Sequence, residues 1–590
     1  MSGIAGIFNF GATVDRDALV RFTDALAHRG PDGRGVMYDG KLGLGHRRLA
    51  VFDRTRHGHC PMPYEDSQPV SGKRSLRDRI AAFAGVNSEE AALTPFRYWL
   101  TFDGEIYNFP ELRRELGAMG YRFRSETDAE VVLAAYAQWG ESCLFRFNGS
   151  WAFALWDRQE RTLFLARDRF GERPLYYTHS PTRLAFASEM KAFLSLDGFR
   201  PALKEELVPS LLVNPAAHEG TTDETLLIGL RRLPSGHSAR VTGEGALHVR
   251  RWWDTREHLP KIGSRYEDHV ARCRQLFQES VRLRLRSDVR TGIRQDGSFA
   301  DSAIAGAAAG LKKTGADLSR VRDKSPQLFV PNPASGFEDG KSPAGTTPQG
   351  RVQVITFDPE AVSREVVDAA WSAEVIGPAP ATPSWCFYRE LRGAGGVISL
   401  ESHGAEELLG GHPRHLDCFT ARINSQLADE FHATRLPALL RERDGCSLAH
   451  GVVARSPFLD WELVAFAQTL PASSKFGGGY TQRVLRDAMK DILPEQVLKQ
   501  RTRARFDSPL AGRFKGRLAP LLRQLVNHPR CLESRHWDGA ALRKSVLEKS
   551  EAGSWTAQDE AEIAAVWTRL SLVLWQLLFV DGVKPEGVLR

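Results

Sequence analysis

Between Arg290 and Ala309 the sequence runs R-T-G-I-R-Q-D-G-S-F-A-D-S-A-I-A-G-A-A-A. A short strand, a glycine-containing turn and an Ala-rich helix follow one another there, which is the order that makes a phosphate cradle. The first amides of such a helix point outward unpaired and carry partial positive charge. The expected glycine run is reduced to Gly297, and Arg294 and Gln295 interrupt the strand before it. Basic residues gather from Lys499 to Arg505, and phosphates need such cations. The stretch E-S-H-G-A-E-E-L-L-G-G-H-P-R-H at 401 to 415 offers His403, Glu406 and Glu407. His403 has the chemistry of a proton acceptor or donor. A His-Glu-Glu metal centre is disfavoured because no third histidine stands at matched spacing.

The elements that must carry these residues fall into two regions. With 590 residues the chain is too long for one core, while 42% hydrophobic and 26% charged residues are ordinary for a globular protein. From Ser2 to about Phe193 short β-rich runs alternate with Gly and Asp turns: Gly3 to Phe10, Leu42 to Phe52, Tyr98 to Phe102, Trp151 to Asp157, Thr162 to Arg167, Leu175 to Thr178 and Leu184 to Ser188. Helical stretches stand at Asp15 to Ala27 and Asp128 to Trp139, giving an α+β pattern. Further on, helical periodicity marks Ser264 to Leu285 and Ala361 to Val375, and strands are expected at Val352 to Phe357 and Gly396 to Leu400. The expected division is residues 1–200 with a surface insertion at about 68–96, a linker at 201–260, and a second domain at 261–590 with an insertion at about 311–351.

Seven scattered cysteines, none paired as C-x-x-C, argue for reduced thiols over a disulfide frame or zinc site. No basic n-region opens the chain and no 18-residue apolar stretch is evident, so a cytoplasmic protein with no membrane partner is expected. A net charge of +7, spread over this length, does not point to nucleic acid.

Six blocks make a specific resemblance: S-G-I-A-G-I-F at 2 to 8, A-H-R-G-P-D-G at 27 to 33, L-G-H-R-R-L-A at 44 to 50, D-G-E-I-Y-N at 103 to 108, T-D-A-E at 127 to 130 and A-R-D-R-F-G-E-R-P-L-Y-Y at 166 to 177. Together they resemble the glutamine-hydrolysing domain of the asparagine synthetase family. The resemblance implies a four-layer α/β/β/α (Ntn-hydrolase-like) domain, in which an N-terminal cysteine freed of Met attacks glutamine. It further implies an α/β synthetase domain with a parallel sheet. Arg48 matches the position that holds the substrate carboxylate, Asp128 the one that holds its amino group, Glu105 a further substrate-binding position, and Gly104 the oxyanion amide. The nucleophile position is Ser2, which an N-terminal amine could still serve as a base. Asp103 replaces an oxyanion-stabilising Asn. Losing that donor costs about 2.7–4 kcal/mol, and a bare carboxylate about 4 Å from the oxyanion adds roughly 4 kcal/mol more. Glutaminase activity is therefore expected to be absent.

In the second half, D-G-S-F-A-D-S at 296 to 302 stands where relatives have S-G-G-x-D-S-S, their loop for ATP pyrophosphate. Asp296, Ser298 and Ala300 are the departures, and Asp301 lies one place beyond the family's Asp, where it could take over the missing carboxylate's task; Gly297, Ser298, Asp301 and Ser302 are the candidate nucleotide-binding residues. Asp301 and Glu406 are the positions for Mg²⁺. His403 replaces an acidic residue and Val453 a Glu, and Arg503 matches a lysine that stabilises developing charge. The resemblance thus implies ATP and Mg²⁺ as cofactors of an amide-forming ligase with an inactive glutaminase half, acting on a small-molecule or peptide carboxylate and an amine. β-Lactam synthetases and lasso-peptide cyclases are similar in lacking the N-terminal cysteine. The departures favour instead a pseudoenzyme that binds a protein partner, and a homodimer is compatible with either.

Overall fold

The computed structural model describes residues 2–65, 96–311, 326–331, 352–355, 362–412, 414–417, 422–501, 514 and 518–588. Nearly all of the expected insertion at 68–96, most of that at 311–351, and Arg503 lie outside the described residues.

In chain order the first strands are β1 (Ser2–Asn9), β2 (Gly33–Asp39), β3 (Leu42–Arg48), β4 (Met62–Tyr64), β5 (Tyr98–Ile106) and β6 (Gly149–Asp157). They are followed by β7 (Thr162–Arg167), β8 (Tyr176–His179), β9 (Arg183–Ala187), β10 (Arg231–Arg232), β11 (His237–Val241) and β12 (Leu247–Arg251). Two six-stranded antiparallel sheets result, in the orders β10-β8-β9-β1-β3-β2 and β12-β11-β7-β6-β5-β4. Alternation along β1 sets the layering. Ile4 and Phe8 enter the apolar layer between the sheets with Leu42, Trp99 and Trp156. Ala5 and Ile7 face the other way, into the cluster that contains Phe22 of helix α1 (Arg16–Asp24). The second sheet is covered by α2 (Phe109–Ala118) and α3 (Asp128–Trp139), whose Phe109, Leu112 and Val131 share a core with Tyr98, Leu100 and Phe102. This is the four-layer α/β/β/α arrangement.

The stretch 201–260, expected as a linker, is in part sheet. Its β10 pairs with β8 and its β11 with β7, so it supplies edge strands to both layers. Two-residue and edge strands carry little of the alternation from which strands are recognised.

Helix α4 (Tyr266–Arg284) leads into the second domain. There β13 (Thr291–Arg294), β14 (Gln327–Pro331), β15 (Val352–Ile355), β16 (Ile398–Leu400) and β17 (Val453–Arg455) form a parallel sheet in the order β15-β14-β13-β16-β17. β14 falls within the stretch expected as an insertion. The chain first moves outward from β13 and then returns to the other side at β16. The reversal opens a crevice at the carboxyl ends of these two strands, the usual place for a ligand in such a sheet. Among the described residues one helix, Glu560–Phe579, is long and apolar enough to cross a membrane. Leu570, Val573, Leu574 and Leu578 of that helix are fully or nearly fully buried in the same core as the β1 and α1 side chains.

Candidate functional site: two centres joined across a domain interface

Ser2 opens β1 opposite Arg48 at the end of β3, Gly104 and Glu105 lie near the end of β5, and Asp128 begins α3. These elements bring all five residues to the wall of one cavity of about 40 Å³, together with His46 and Cys60. That is far below the roughly 300–1,000 Å³ of ordinary ligand pockets. Gly104 is required by close approach, since a Cβ there would fall 2.4 Å from the Ser150 carbonyl oxygen. Arg48 donates to the Thr55 carbonyl at 2.8 Å and to the Asp53 carbonyl. Asp128 accepts from the Ile106 amide at 2.9 Å, and burial pushes its pKa up to about 6. Burial likewise holds His46 neutral, with a pKa down at about 3, and pushes the Cys60 thiol up to about 12, so no thiolate stands in for the missing nucleophile.

Asp103 turns away from this wall. Its Oδ1 accepts the Ser2 amide at 3.0 Å, and its Oδ2 accepts Arg29 Nη2 at 2.8 Å and Ser188 Oγ at 3.3 Å. Both Asp103 and Arg29 side chains are wholly buried. The Asp103 carboxylate is therefore not bare, and its share of the Arg29 guanidinium lessens the repulsion expected beside an oxyanion. The loss of the donor stands. Arg29 also binds Glu189 at 2.9 Å and Asp444 of the second domain at 2.7 Å. Glu105 is committed across the same interface, accepting Arg455 Nε at 2.7 Å and Nη2 with its other oxygen.

The second centre lies in the crevice after β13 and β16. Residues 295–302 are all buried, and Gly297 makes the turn at φ +83°, a conformation that suits glycine alone. The turn's polar groups satisfy one another. The Asp296 amide donates to Asp301 Oδ2 at 2.9 Å, the Ser298 amide to Asp296 Oδ1 at 3.0 Å, and the Asp301 amide to Ser298 Oγ at 3.1 Å. Gln500 donates to the Gly297 carbonyl at 2.8 Å, and Ser302 Oγ to the Ser298 carbonyl at 3.2 Å. Burial and the neighbouring Asp296 carboxylate push Asp301 well above the usual carboxylate range, although it also accepts from Ser402.

Across the crevice Glu401 follows β16. It accepts from Tyr388 Oη at 2.9 Å and lies 3.1 Å from His403 Nδ1. Although burial raises it, His403 and the charges of Arg294 and Arg443 bring Glu401 down to about 2; burial holds His403 below its ordinary value. Glu406 lies 3.5 Å from Arg435, which also holds Glu407 at 2.8 Å. Among the described residues no group of three or more His, Cys, Asp or Glu is placed to hold a metal ion. Three amides of the turn, those of Asp296, Ser298 and Asp301, are thus taken by the chain's own side chains.

Sequence reasoning passed over Arg29, Glu189 and Asp444, although Arg29 sits inside the A-H-R-G-P-D-G block. It also passed over Glu401, Gln500 and Arg486, whose guanidinium covers the Phe299 ring at 4.2 Å. Only the turn residues carried a local signal.

A glutamine amidotransferase domain model matches residues 1–71 and 83–253, and an asparagine synthase model matches residues 419–577. The first match runs through β10, β11 and β12, in agreement with the sheets. Asparagine synthetase [glutamine-hydrolyzing] 3 of Bacillus subtilis is 27% identical over 564 residues, covering 84% of this chain and 86% of the relative. Asparagine synthetase [glutamine-hydrolyzing] 1 of the same organism is 23% identical, covering 98% and 97%. A solved glutamine phosphoribosylpyrophosphate amidotransferase from B. subtilis superposes loosely, at 16% identity and a TM-score of 0.30, covering 72% of this chain and 89% of that one. An amidotransferase-like sandwich followed by a parallel-sheet synthetase domain, with relatives that match both halves in the same order, places the chain in the asparagine synthetase family.

Proposed function

We propose that this protein is a non-catalytic member of the family, a two-domain body that binds a partner molecule and no longer forms amides. One observation carries this reading: Asp296, Ser298 and Asp301 spend their side chains on the amides of the nucleotide turn. A phosphate entering there would have to displace a like-charged carboxylate from a buried site, against both repulsion and lost hydrogen bonds. The Ser2–Asp103–Arg29 arrangement supports the same reading for the glutaminase half.

The test is calorimetric titration of the full chain with ATP and Mg²⁺ at millimolar nucleotide. No heat and no thermal shift are expected, and saturable binding would refute the reading. A second reading is an ATP-dependent amide ligase acting on a carboxylate and an amine. It is favoured by the retained turn at Gly297 and by Gln500, which ties the segment leading to Arg503 to that turn. Exchange of labelled pyrophosphate into ATP in the presence of a carboxylate would establish it.

A further inference from the structure

The domain interface is built from arginines that have found carboxylates. Arg29 and Arg173 both bind Asp444, Arg443 binds Glu172, Arg286 binds Glu111 and Arg455 binds Glu105. One part of the interface departs from this rule. Arg54 from the first domain and Arg290 and Arg392 from the second meet at a cleft of about 310 Å³. None of the three is ion-paired to a carboxylate among the described residues. Asp32, also on the wall, spends its Oδ2 on the Ala50 amide at 2.8 Å. The remaining wall is largely apolar, with Leu49, Val289 and Val397.

Arg290 is positioned. Its Nη1 donates to the Ala394 carbonyl at 3.3 Å, and a Cβ on Gly395, which has φ +82°, would lie 3.2 Å from that same nitrogen. The cleft sits at the amino ends of β13 and β16, where Val289, Arg290 and Val397 precede the strands. It is therefore on the edge of the sheet opposite the nucleotide turn. Leu49 and Ala50 line both this cleft and the cavity beside Ser2.

We propose that this cleft is a binding site for a compact polyanion, a small molecule carrying two or more phosphoryl or carboxylate groups. Three guanidinium groups set against the single Asp32 carboxylate on the wall are suited to bidentate capture of such oxyanions. The cavity lies at the lower end of the size range of small-molecule pockets, about 300 Å³. A ligand there would touch both domains and the wall of the N-terminal cavity. The site is independent of the function proposed above, because nucleotide bound at the turn after β13 would not involve these arginines.

The test is calorimetry on the full chain at low salt with two probes, inorganic pyrophosphate and citrate, comparing wild type with Arg290→Gln/Arg392→Gln, Arg54→Gln and the exposed control Arg535→Gln. At least one probe should bind with one-to-one stoichiometry. Preference for pyrophosphate would identify phosphoryl recognition, and preference for citrate polycarboxylate recognition. The double variant should bind at least about tenfold more weakly, Arg54→Gln should also weaken binding, and Arg535→Gln should match wild type. Added salt should weaken binding further. Unliganded melting temperatures establish that the variants fold, and Arg54→Gln supplies the comparison should the double variant not. Absence of binding by both probes at millimolar concentration, or unchanged affinity in the arginine variants, would overturn the proposal.

Discussion

Asp103 differs from a carboxamide by one oxygen in place of an NH₂, and the surrounding residues use that oxygen. Both carboxylate oxygens are engaged: Arg29 donates to Oδ2 and the Ser2 backbone nitrogen to Oδ1. With Met1 removed, that nitrogen would be an amine 3.0 Å from a carboxylate, which favours the ammonium over the free amine that a nucleophile needs as its base. Ser2→Cys alone is accordingly expected to release no ammonia from glutamine above the buffer rate, even in protein shown by mass spectrometry to lack Met1. Release comparable to that of an active relative would mean that Asp103 does not hold the amine. Asp128 makes a second prediction at this scale. Because burial raises its pKa to about 6, the folded state carries a penalty that is absent below the unfolded value near 4 and grows as pH rises through about 6. Asp128→Asn keeps an acceptor for the Ile106 amide and removes the charge. It should stabilise the fold by roughly 2–3 kcal/mol at about pH 8 and by little near pH 4. Denaturant melts across this range check the sign, and a gain of equal size at both ends would contradict the stated cause.

At the scale of elements, the turn between β13 and helix α5 (Phe299–Leu311) is where local sequence was most informative. Gly297 could be placed in a turn because a left-handed residue is needed there, and the Ala-rich run that follows is helical as expected. That Asp296 stands at the head of this turn was legible too. What the sequence could not show is that this carboxylate accepts Ser298's amide, or that Asp301 is pushed up beside it, since both depend on how eight buried residues fold onto one another. β14 and β10 escaped notice for a related reason: strands of five and two residues acquire their meaning from the strands beside them. Asp296→Gly with Ser298→Gly removes the carboxylate from the nest and leaves bare backbone at the turn. This variant should gain a thermal shift with ATP and Mg²⁺ that wild type lacks, about 1.4 kcal/mol when nucleotide is ten times its Kd. Equal shifts in both proteins would show that the loop's own side chains do not close it.

On the scale of the whole molecule, charge that a typical interface would leave at its wet rim has been taken inside. Arg29, Arg173 and Asp444 are each at most 1% exposed as side chains, and Asp444 accepts from both arginines at 2.7 Å. Such a triad is not by itself a gain in stability, because desolvation offsets much of the attraction. Its consequence is specificity of docking: residues 29 and 173 on one domain and 444 on the other are costly to bury in any other arrangement. None of this was visible from spacing, because the partners lie hundreds of residues apart. Burial raises the Asp444 pKa, but Arg29 and Arg173 outweigh it and hold the group below its ordinary value. Its contribution is thus present above about pH 4 and is lost as pH falls through the folded-state value. Asp444→Asn leaves the buried Arg173 guanidinium without its carboxylate and takes one of three carboxylates from Arg29, and should cost roughly 3–5 kcal/mol at neutral pH. The deficit against wild type should shrink on acidification below about pH 4, where wild type loses the same charge. Scanning calorimetry adds a readout that a merely local defect would not move. If the triad couples the two domains, a single transition in the wild type should split into two in Asp444→Asn, and one unsplit transition at a lower temperature would confine the role of Asp444 to its own helix.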